Sequence, residues 1–202
     1  MPATPRDGPV RRLQIAGYTL SFSWAPEYCR GRTDSAADRI ECSGDFGRFG
    51  LILHGLWPEG RGGLWPQWCP TTRRPTPGEV RANLCMTPSA KLLAHEWAKH
   101  GACMAPTPER YFALARKLWS ALALPDLDLL SRRKALDAGM VRQAFIAVNP
   151  SLRPNQIGLL VNKRGWLEEV RLCYDRRFEP QRCARSRFGP ADAAPIKIWR
   201  GL

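Results

Sequence analysis

The chain has 202 residues, with 31 lysines and arginines against 18 aspartates and glutamates, a formal net charge of +13. Its hydrophobic content of 44% supports a buried core and excludes a chain that is disordered throughout. No apolar run approaches the roughly 20 residues of a membrane-spanning helix, which argues against an integral membrane protein. The excess of basic residues predicts attraction to polyanions such as nucleic acid or an anionic membrane surface.

The N-terminal half of the chain predicts a tail, two strands and a long connection. Residues 1–16 are rich in proline and arginine without periodicity, and predict a flexible tail ahead of one domain over residues 17–202. Residues 18–24 alternate large apolar with small polar side chains, which predicts a half-buried strand. Residues 49–54 predict a more buried strand that ends at His54, and residues 58–88 predict one long irregular connection.

The C-terminal half predicts three helices and further strands. Thr87 and Pro88 have the residue types of an N-cap and a first helical position, and Gly101 closes this helix. The other two helices are predicted over residues 108–122 and 140–148. Paired strands are predicted over residues 157–161 and 166–174, with a turn at 162–165 and a last short strand at 196–199. This order predicts an α+β fold, in which a central antiparallel β-sheet is flanked by α-helices and the loops are long.

The cysteine content predicts an oxidising compartment. The seven cysteines are Cys29, Cys42, Cys69, Cys85, Cys103, Cys173 and Cys183. No pair has the C-x-x-C spacing of zinc ribbons or thioredoxin-like proteins, and the wide spacing favours disulfides over the alternative of buried free thiols. The first 25 residues contain no continuous apolar segment of a signal peptide. We therefore expect a periplasmic or secreted protein whose leader has been removed.

The chain has three histidines, and two of them share a predicted helix with Glu96 and Lys99. At about 100° per residue, His95, Glu96, Lys99 and His100 fall on one arc of that helix. One interpretation is a solvated helix face with an ordinary Glu–Lys pair. We favour a catalytic interpretation, because every histidine of the chain is involved and two of them share a helix face with Glu96 and Lys99.

Two kinds of catalytic chemistry use histidines on a helix, and the spacing of the histidines distinguishes them. A zinc peptidase needs histidines at i and i+4 in H-E-x-x-H, whereas this chain has H-E-x-x-x-H, so we expect no metal and no other cofactor. Metal-free phosphoryl transfer on RNA needs one group to take the 2'-OH proton and another to protonate the 5'-oxygen. Histidine suits both tasks because its pKa lies near neutrality, and a lysine can stabilise the transition-state charge. This chemistry predicts a bell-shaped pH profile.

Two segments carry a resemblance to a known family. FGLILHGLWPEG, which contains His54, and HEWAKHGAC over residues 95–103 resemble the two active-site segments of the ribonuclease T2 family. Within this family, the chain most resembles the bacterial, periplasmic ribonuclease I type. A weaker resemblance extends from about Tyr18 to Cys183.

The resemblance implies a role for each residue of the two segments. His100 matches the general base, His54 the general acid and His95 the histidine that holds the phosphate. Glu96 and Lys99 match the pair that stabilises the transition state. The implied activity is an endoribonuclease of low base specificity that cleaves single-stranded RNA to 2',3'-cyclic phosphates and then to 3'-phosphates. DNA cleavage is not expected.

The resemblance also implies base-binding residues. Trp57 matches an aromatic side chain that stacks on a base, a contact that any base can make. Glu59 stands where some members have aspartate, which can accept a hydrogen bond from an amino-bearing base. This position therefore suggests a preference for purines, adenine in particular. Trp65 is a candidate for a second aromatic wall, although anchoring of the loop by Trp65 and Trp68 is the alternative.

For the cysteines, the resemblance implies two bridges, Cys69–Cys103 and Cys173–Cys183, and Cys29–Cys42 is the plausible third. These pairs leave Cys85 as a free thiol.

Two other functions remain open at this point. A catalytically silent RNA-binding relative would use the same groove, but such relatives usually lose a histidine and none is lost here. A membrane-active cationic protein is disfavoured because no basic amphipathic surface helix with exposed aromatic residues is present. We expect a monomer whose partner is single-stranded RNA, with no membrane partner.

Overall fold

The computed structural model describes residues 4–201 and confirms an α+β fold. Its strands are β1 (Gly17–Trp24), β2 (Leu51–Glu59), β3 (Ile157–Val161) and β4 (Leu167–Tyr174). Its α-helices are α1 (Ala25–Cys29), α2 (Arg39–Cys42), α3 (Pro77–Arg81), α4 (Ala90–Lys99), α5 (Pro108–Ser120), α6 (Leu127–Leu130), α7 (Ala138–Val148) and α8 (Arg185–Phe188). Short 3-10 turns lie at Arg61–Gly63, Gly101–Cys103 and Pro154–Gln156. No helix within residues 4–201 has the length and apolar character needed to cross a membrane.

The four strands form one antiparallel sheet in the order β2-β1-β4-β3, so β1 is a central strand. Leu20 and Phe22 of β1 belong to the hydrophobic core, together with side chains of α4, α5 and α7 such as Trp97, Phe112 and Phe145. The alternate residues of β1 are small and polar, and each binds a functional side chain. The pairs are Thr19 with Glu59, Ser21 with Glu169 and Ser23 with His54. One face of the sheet therefore packs in the core and the other carries polar groups.

Strand β2 does not end at His54, as the sequence predicted, but continues to Glu59. The first residues of β1 pair with the last residues of β2, so the ladder extends beyond the apolar run. Its register steps from Ser21 opposite Gly55 to Phe22 opposite Leu53, which leaves His54 with no residue opposite it. Such a bulge redirects a side chain out of the regular ladder, and here the redirected side chain is His54.

Helix α4 begins two residues later than predicted. The Ser89 hydroxyl accepts a hydrogen bond from the Leu92 amide and so caps the helix. Thr87, the predicted N-cap, instead donates its hydroxyl proton to the carbonyl of Leu53 in β2. The helix ends at Lys99, and a 3-10 turn follows from Gly101. His100 therefore lies at the C-terminal boundary of α4, where the chain leaves the helix.

Two other predicted elements differ from the structure. Residues 196–199 make no strand, because the segment forms only a single bridge between Lys197 and Trp166. The connection over residues 58–88 contains helix α3, where Thr76 and Glu79 form a capping box. The two remaining predicted helices are present as α5 and α7, and the predicted turn at 162–165 joins β3 to β4.

Three disulfides join the expected pairs, which are the two that the family resemblance implies, Cys69–Cys103 and Cys173–Cys183, and the third, Cys29–Cys42. Cys85 is free and exposed. The Cys69–Cys103 bridge attaches the long connection to the turn that follows α4, and so holds that loop against the end of the helix.

Removing the Cys69–Cys103 bridge is expected to destabilise the domain. The bridge spans 34 residues of sequence, and closing a loop of this length contributes about 3–4 kcal/mol in the chain-entropy account. The double variant Cys69→Ser/Cys103→Ser should melt well below the wild type in thermal unfolding followed by circular dichroism. Cys85→Ser is the matched control and should melt like the wild type. Equal melting temperatures for all three proteins would contradict the prediction.

Candidate active site

The three histidines come together where the polar face of the sheet meets α4. His54 projects from the bulge of β2, His95 lies on the last turns of α4, and His100 follows the end of that helix. Gly55 makes this approach possible, since a Cβ at this position would collide with the carboxylate of Glu96. The glycine after His54 is therefore required by the distance between β2 and α4.

Glu96 is the buried centre of the cluster, with only 3% of its surface exposed. Its Oε2 accepts a hydrogen bond of 2.6 Å from Nε1 of Trp57, and its Oε1 lies 3.5 Å from Nε2 of His54. Burial raises the pKa of Glu96, but the hydrogen bond with His54 and the charges of the three histidines outweigh it and lower the pKa below its ordinary value. The solvated-face interpretation of the helix is therefore wrong, because its central carboxylate is buried and ionised.

His54 is held on both ring nitrogens. Its Nδ1 lies 3.0 Å from Glu169 Oε1 and 3.0 Å from the hydroxyl of Ser23, while Nε2 faces Glu96. Burial lowers the pKa of His54, but the hydrogen bonds with Glu169 and Glu96 prevail and raise the pKa to about 10. His54 is therefore an imidazolium at neutral pH.

Glu169 is a site residue that the sequence reasoning missed. It lies on β4 opposite Ser23 of β1, and its Oε2 accepts hydrogen bonds from Ser21 and Arg171. Burial raises the pKa of Glu169, but the hydrogen bond and charge of His54, with the charge of Arg171, lower it to about 2. The available signal was a carboxylate inside a predicted strand, two residues before an arginine.

His100 has the opposite electrostatic environment from His54. Only 6% of its surface is exposed, and within residues 4–201 its Nδ1 has no hydrogen-bond partner. Burial lowers the pKa of His100 to about 4, although the charge of Glu96 opposes this effect. Its ring lies 5.5 Å from the Trp57 ring. At neutral pH His100 is therefore a neutral imidazole close to the imidazolium of His54.

His95 and Lys99 face a carboxylate from the N-terminal segment. Asp7 Oδ2 lies 2.6 Å from Lys99 Nζ and 3.9 Å from His95 Nε2, and Asp7 Oδ1 accepts a hydrogen bond from Trp68. The hydrogen bond with Lys99 lowers the pKa of Asp7, so the group is an anion. Trp68 is buried and packs edge-on against His95. An oxyanion thus already occupies the cationic part of the cluster.

Backbone contacts hold the segment that carries Asp7. Arg11 and Gln67 exchange two backbone hydrogen bonds of 2.9 Å, and the Gln67 side chain donates to the carbonyl of Pro9. These contacts place the N-terminal segment along the loop that the Cys69–Cys103 bridge attaches to α4. No sequence signal singled out Asp7.

The base-binding candidates lie together, but Trp57 is only 8% exposed. Glu59 Oε1 accepts a hydrogen bond from the Thr19 hydroxyl and lies 2.8 Å from Nε of Arg187 in an ion pair, and Oε2 accepts a hydrogen bond from Nη2 of Arg187. The guanidinium carbon of Arg187 lies 5.1 Å from the Trp65 ring centroid and 6.0 Å from that of Trp57. The two indoles that the resemblance implies for base stacking therefore share one arginine neighbour.

A cavity of about 620 Å³ opens beside His54 and His95. Its wall includes Glu41, which is 6% exposed and whose Oε1 has no hydrogen-bond partner among the described residues. Burial and the nearby charge of Asp38 raise the pKa of Glu41 to about 7. Within residues 4–201, no group of three or more histidine, cysteine, aspartate or glutamate side chains is arranged to hold a metal ion.

Comparison with known proteins identifies the family to which this fold and site belong. The profile of the ribonuclease T2 family matches residues 16–135, which include all three histidines. The chain therefore belongs to the ribonuclease T2 family.

Individual relatives agree with this classification. A probable ribonuclease of Haemophilus influenzae is 30% identical over 186 residues, which cover 87% of this chain and 64% of that protein. A ribonuclease of Aeromonas hydrophila is 37% identical over 101 residues, which cover 50% of this chain and 43% of that protein. The chain thus spans less than two thirds of the length of either relative. The solved structure of trichomaglin, described as an S-like ribonuclease, superposes on this chain with a TM-score of 0.71 at 20% identity. The superposition covers 92% of this chain and 98% of trichomaglin.

Proposed function

We propose that the protein is a metal-independent endoribonuclease that cleaves single-stranded RNA through the 2'-hydroxyl. One observation carries the proposal: His54 and His100 lie around one buried carboxylate with pKa values of about 10 and about 4. An acid that is protonated and a base that is neutral at the same pH are what a concerted proton transfer needs. Membership of the ribonuclease T2 family supports the same assignment.

In the first step, Nε2 or Nδ1 of neutral His100 takes the proton of the 2'-hydroxyl, and the 2'-oxygen attacks phosphorus. The bond from phosphorus to the 5'-oxygen breaks as His54 transfers its proton to that oxygen. The products are a 2',3'-cyclic phosphate and a 5'-hydroxyl. His95 and Lys99 stabilise the charge that accumulates on the phosphoryl oxygens, at the position where Asp7 now lies.

In the second step, the two histidines exchange roles. His54, now neutral, takes a proton from a water molecule whose oxygen attacks phosphorus, and His100 protonates the 2'-oxygen as its bond to phosphorus breaks. The product is a 3'-phosphate, and both histidines return to their starting states. Glu96 orients His54 throughout and stays ionised, because the hydrogen bond and charge of His54 and the charges of the other two histidines lower its pKa.

The substrate class follows from the chemistry, because DNA lacks the attacking hydroxyl. We propose RNA of any base as substrate, with Trp57 and Trp65 near the base on the 5' side of the cleaved bond. The cavity beside His54 leaves room for the nucleotide on the leaving side. Disulfide bonds persist in oxidising compartments, so the proposed location is the periplasm or the cell exterior, where the chain acts as a monomer.

The direct test is cleavage of a short single-stranded RNA and of its DNA counterpart in excess EDTA, with mass analysis of the ends. We expect cleavage of the RNA alone, 2',3'-cyclic phosphate ends at early times and 3'-phosphates later. Tight RNA binding without cleavage would favour a silent binding protein. Cleavage that disappears with EDTA would contradict the metal-independent mechanism.

Replacing Asp7 by asparagine is expected to strengthen substrate binding. The substrate phosphate competes with the Asp7 carboxylate for Lys99, and a surface ion pair of this kind is worth about 0.2–1 kcal/mol. KM for a dinucleoside phosphate should therefore fall by about two- to fivefold with kcat unchanged. Asp34→Asn removes the same charge from an exposed residue and serves as control. A lower kcat in Asp7→Asn would show instead that Asp7 positions Lys99 for catalysis.

A further inference from the structure

Arg187 is the charged partner of Glu59, and it comes from a segment far along the chain from both active-site segments. Its Nε lies 2.8 Å from Glu59 Oε1, and its Nη2 donates to Oε2 at 3.0 Å. With the hydrogen bond from Thr19, three of the roughly four lone-pair positions of the carboxylate are already used. Glu59 is therefore poorly placed to accept a hydrogen bond from an amino group on a base.

The segment that carries Arg187 is fixed from several sides. A Cβ at Gly158 of β3 would collide with the Arg187 carbonyl, so the segment lies directly against the sheet. Arg142 of α7 is fully buried and donates to the carbonyls of Phe188 and Pro190. The Cys173–Cys183 bridge joins the start of this segment to β4. These contacts hold the arginine in place before any substrate binds, which lowers the entropic cost of using it.

The free donors of Arg187 have a definite geometry. A guanidinium carries five N–H donors in a rigid plane, and Glu59 accepts one from Nη2 and pairs with Nε. Within residues 4–201 no hydrogen bond reaches Nη1 of Arg187, so the edge formed by Nη1 and Nη2 keeps parallel donors. Only 17% of the side chain is exposed, and the group lies next to both Trp57 and Trp65. The guanidinium is thus adjacent to the two indoles beside which the proposed function puts a base.

We propose that Arg187 is a specificity-determining residue that favours guanine at the base position beside Trp57 and Trp65. The inference rests on the proposed function and refines it. Two parallel N–H donors match the O6 and N7 acceptors of guanine, whereas adenine presents a donor, its N6 amino group, in place of O6. Arginine also stacks on aromatic rings and keeps its charge at all relevant pH values. The adenine preference suggested by Glu59 alone is then reversed, because Glu59 serves to orient Arg187.

The test compares kcat/KM for GpU and ApU, which differ only in the base at this position. The wild type should prefer GpU by at least about fivefold, within the discrimination that a bidentate contact provides. Arg187→Ala should lose this preference or favour ApU, because the freed carboxylate of Glu59 can then accept from N6. Arg187→Lys keeps the charge but not the two parallel donors, and should lose the preference as well. Arg185→Ala removes an exposed charge from the same short helix and should keep the wild-type ratio.

Each other outcome has a separate meaning. If the wild type cleaves both substrates and the ratio of kcat/KM for GpU to that for ApU is near one, the inference is overturned and the proposed function stays intact. The same holds if this ratio is unchanged in Arg187→Ala. Stronger binding of both substrates by Arg187→Ala also overturns it, since Arg187 would then obstruct bases without reading them. If neither substrate is cleaved, the proposed function fails. Calorimetric binding of 3'-GMP and 3'-AMP to the wild type and Arg187→Ala then decides the inference, with the same fivefold criterion.

Discussion

Replacing His54 or His100 by alanine is expected to lower kcat/KM for a dinucleoside phosphate by about 10²–10⁴-fold, the usual contribution of a general acid or base. Without His54, no proton reaches the departing 5'-oxygen. Without His100, no neutral base faces the 2'-hydroxyl. Binding of single-stranded RNA should persist in both variants, because Lys99 and the large excess of basic residues still attract phosphate.

Two controls make the histidine prediction specific. Circular dichroism and thermal unfolding must show that each variant is folded, since His100 is buried and Glu96 loses a partner without His54. The double variant should be little worse than either single variant, because the two residues act in one concerted step. Full activity in either single variant would refute the acid–base assignment.

Replacing Glu169 by glutamine is expected to move the alkaline limb of the pH profile. In the wild type, activity should fall below about pH 4 as His100 gains a proton, and above about pH 10 as His54 loses one. The apparent values belong to the coupled cluster. Glutamine removes a charge that raises the pKa of His54, so the alkaline limb should shift towards neutrality by more than one pH unit. The acidic limb, which His100 controls, should stay in place.

The neighbouring residue offers a matched control. Glu168→Gln removes the same charge from the same strand, but within residues 4–201 Glu168 makes no contact with His54. Its alkaline limb should remain near that of the wild type. An unchanged profile in Glu169→Gln, with normal folding, would show that Glu169 does not control the protonation of His54.

The same pair makes stability depend on pH. The pKa of Glu169 is lowered from 4.5 to about 2, so its contribution is present above pH 4.5 and is lost as the pH falls towards 2. The pKa of His54 is raised from 6.5 to about 10, so its contribution is complete below pH 6.5 and is lost as the pH rises towards 10. Both are present between about pH 4.5 and 6.5. Glu169→Gln should therefore lower the free energy of unfolding most in this interval, which urea denaturation at several pH values would measure.

Local sequence patterns determined those elements whose stability depends on near neighbours. Helix α5 begins at Pro108 after the Thr107 cap, and the turn at 162–165 joins β3 to β4, because caps and tight turns are set by a few adjacent residues. The two active-site segments were recognisable for a similar reason. Each carries its functional groups within a few residues, so their chemistry is visible before any fold is known.

Contacts between distant segments decided the rest. The extension of β2 and the bulge at His54 depend on its register against β1, which no pattern within β2 encodes. Glu169 reaches His54 only because β4 lies on the other side of β1. Sequence periodicity reports which side chains are buried, but not which charges meet. The ionisation of His54 and His100, and the placing of Asp7 on Lys99, follow from burial and charge pairing that exist only in the folded chain.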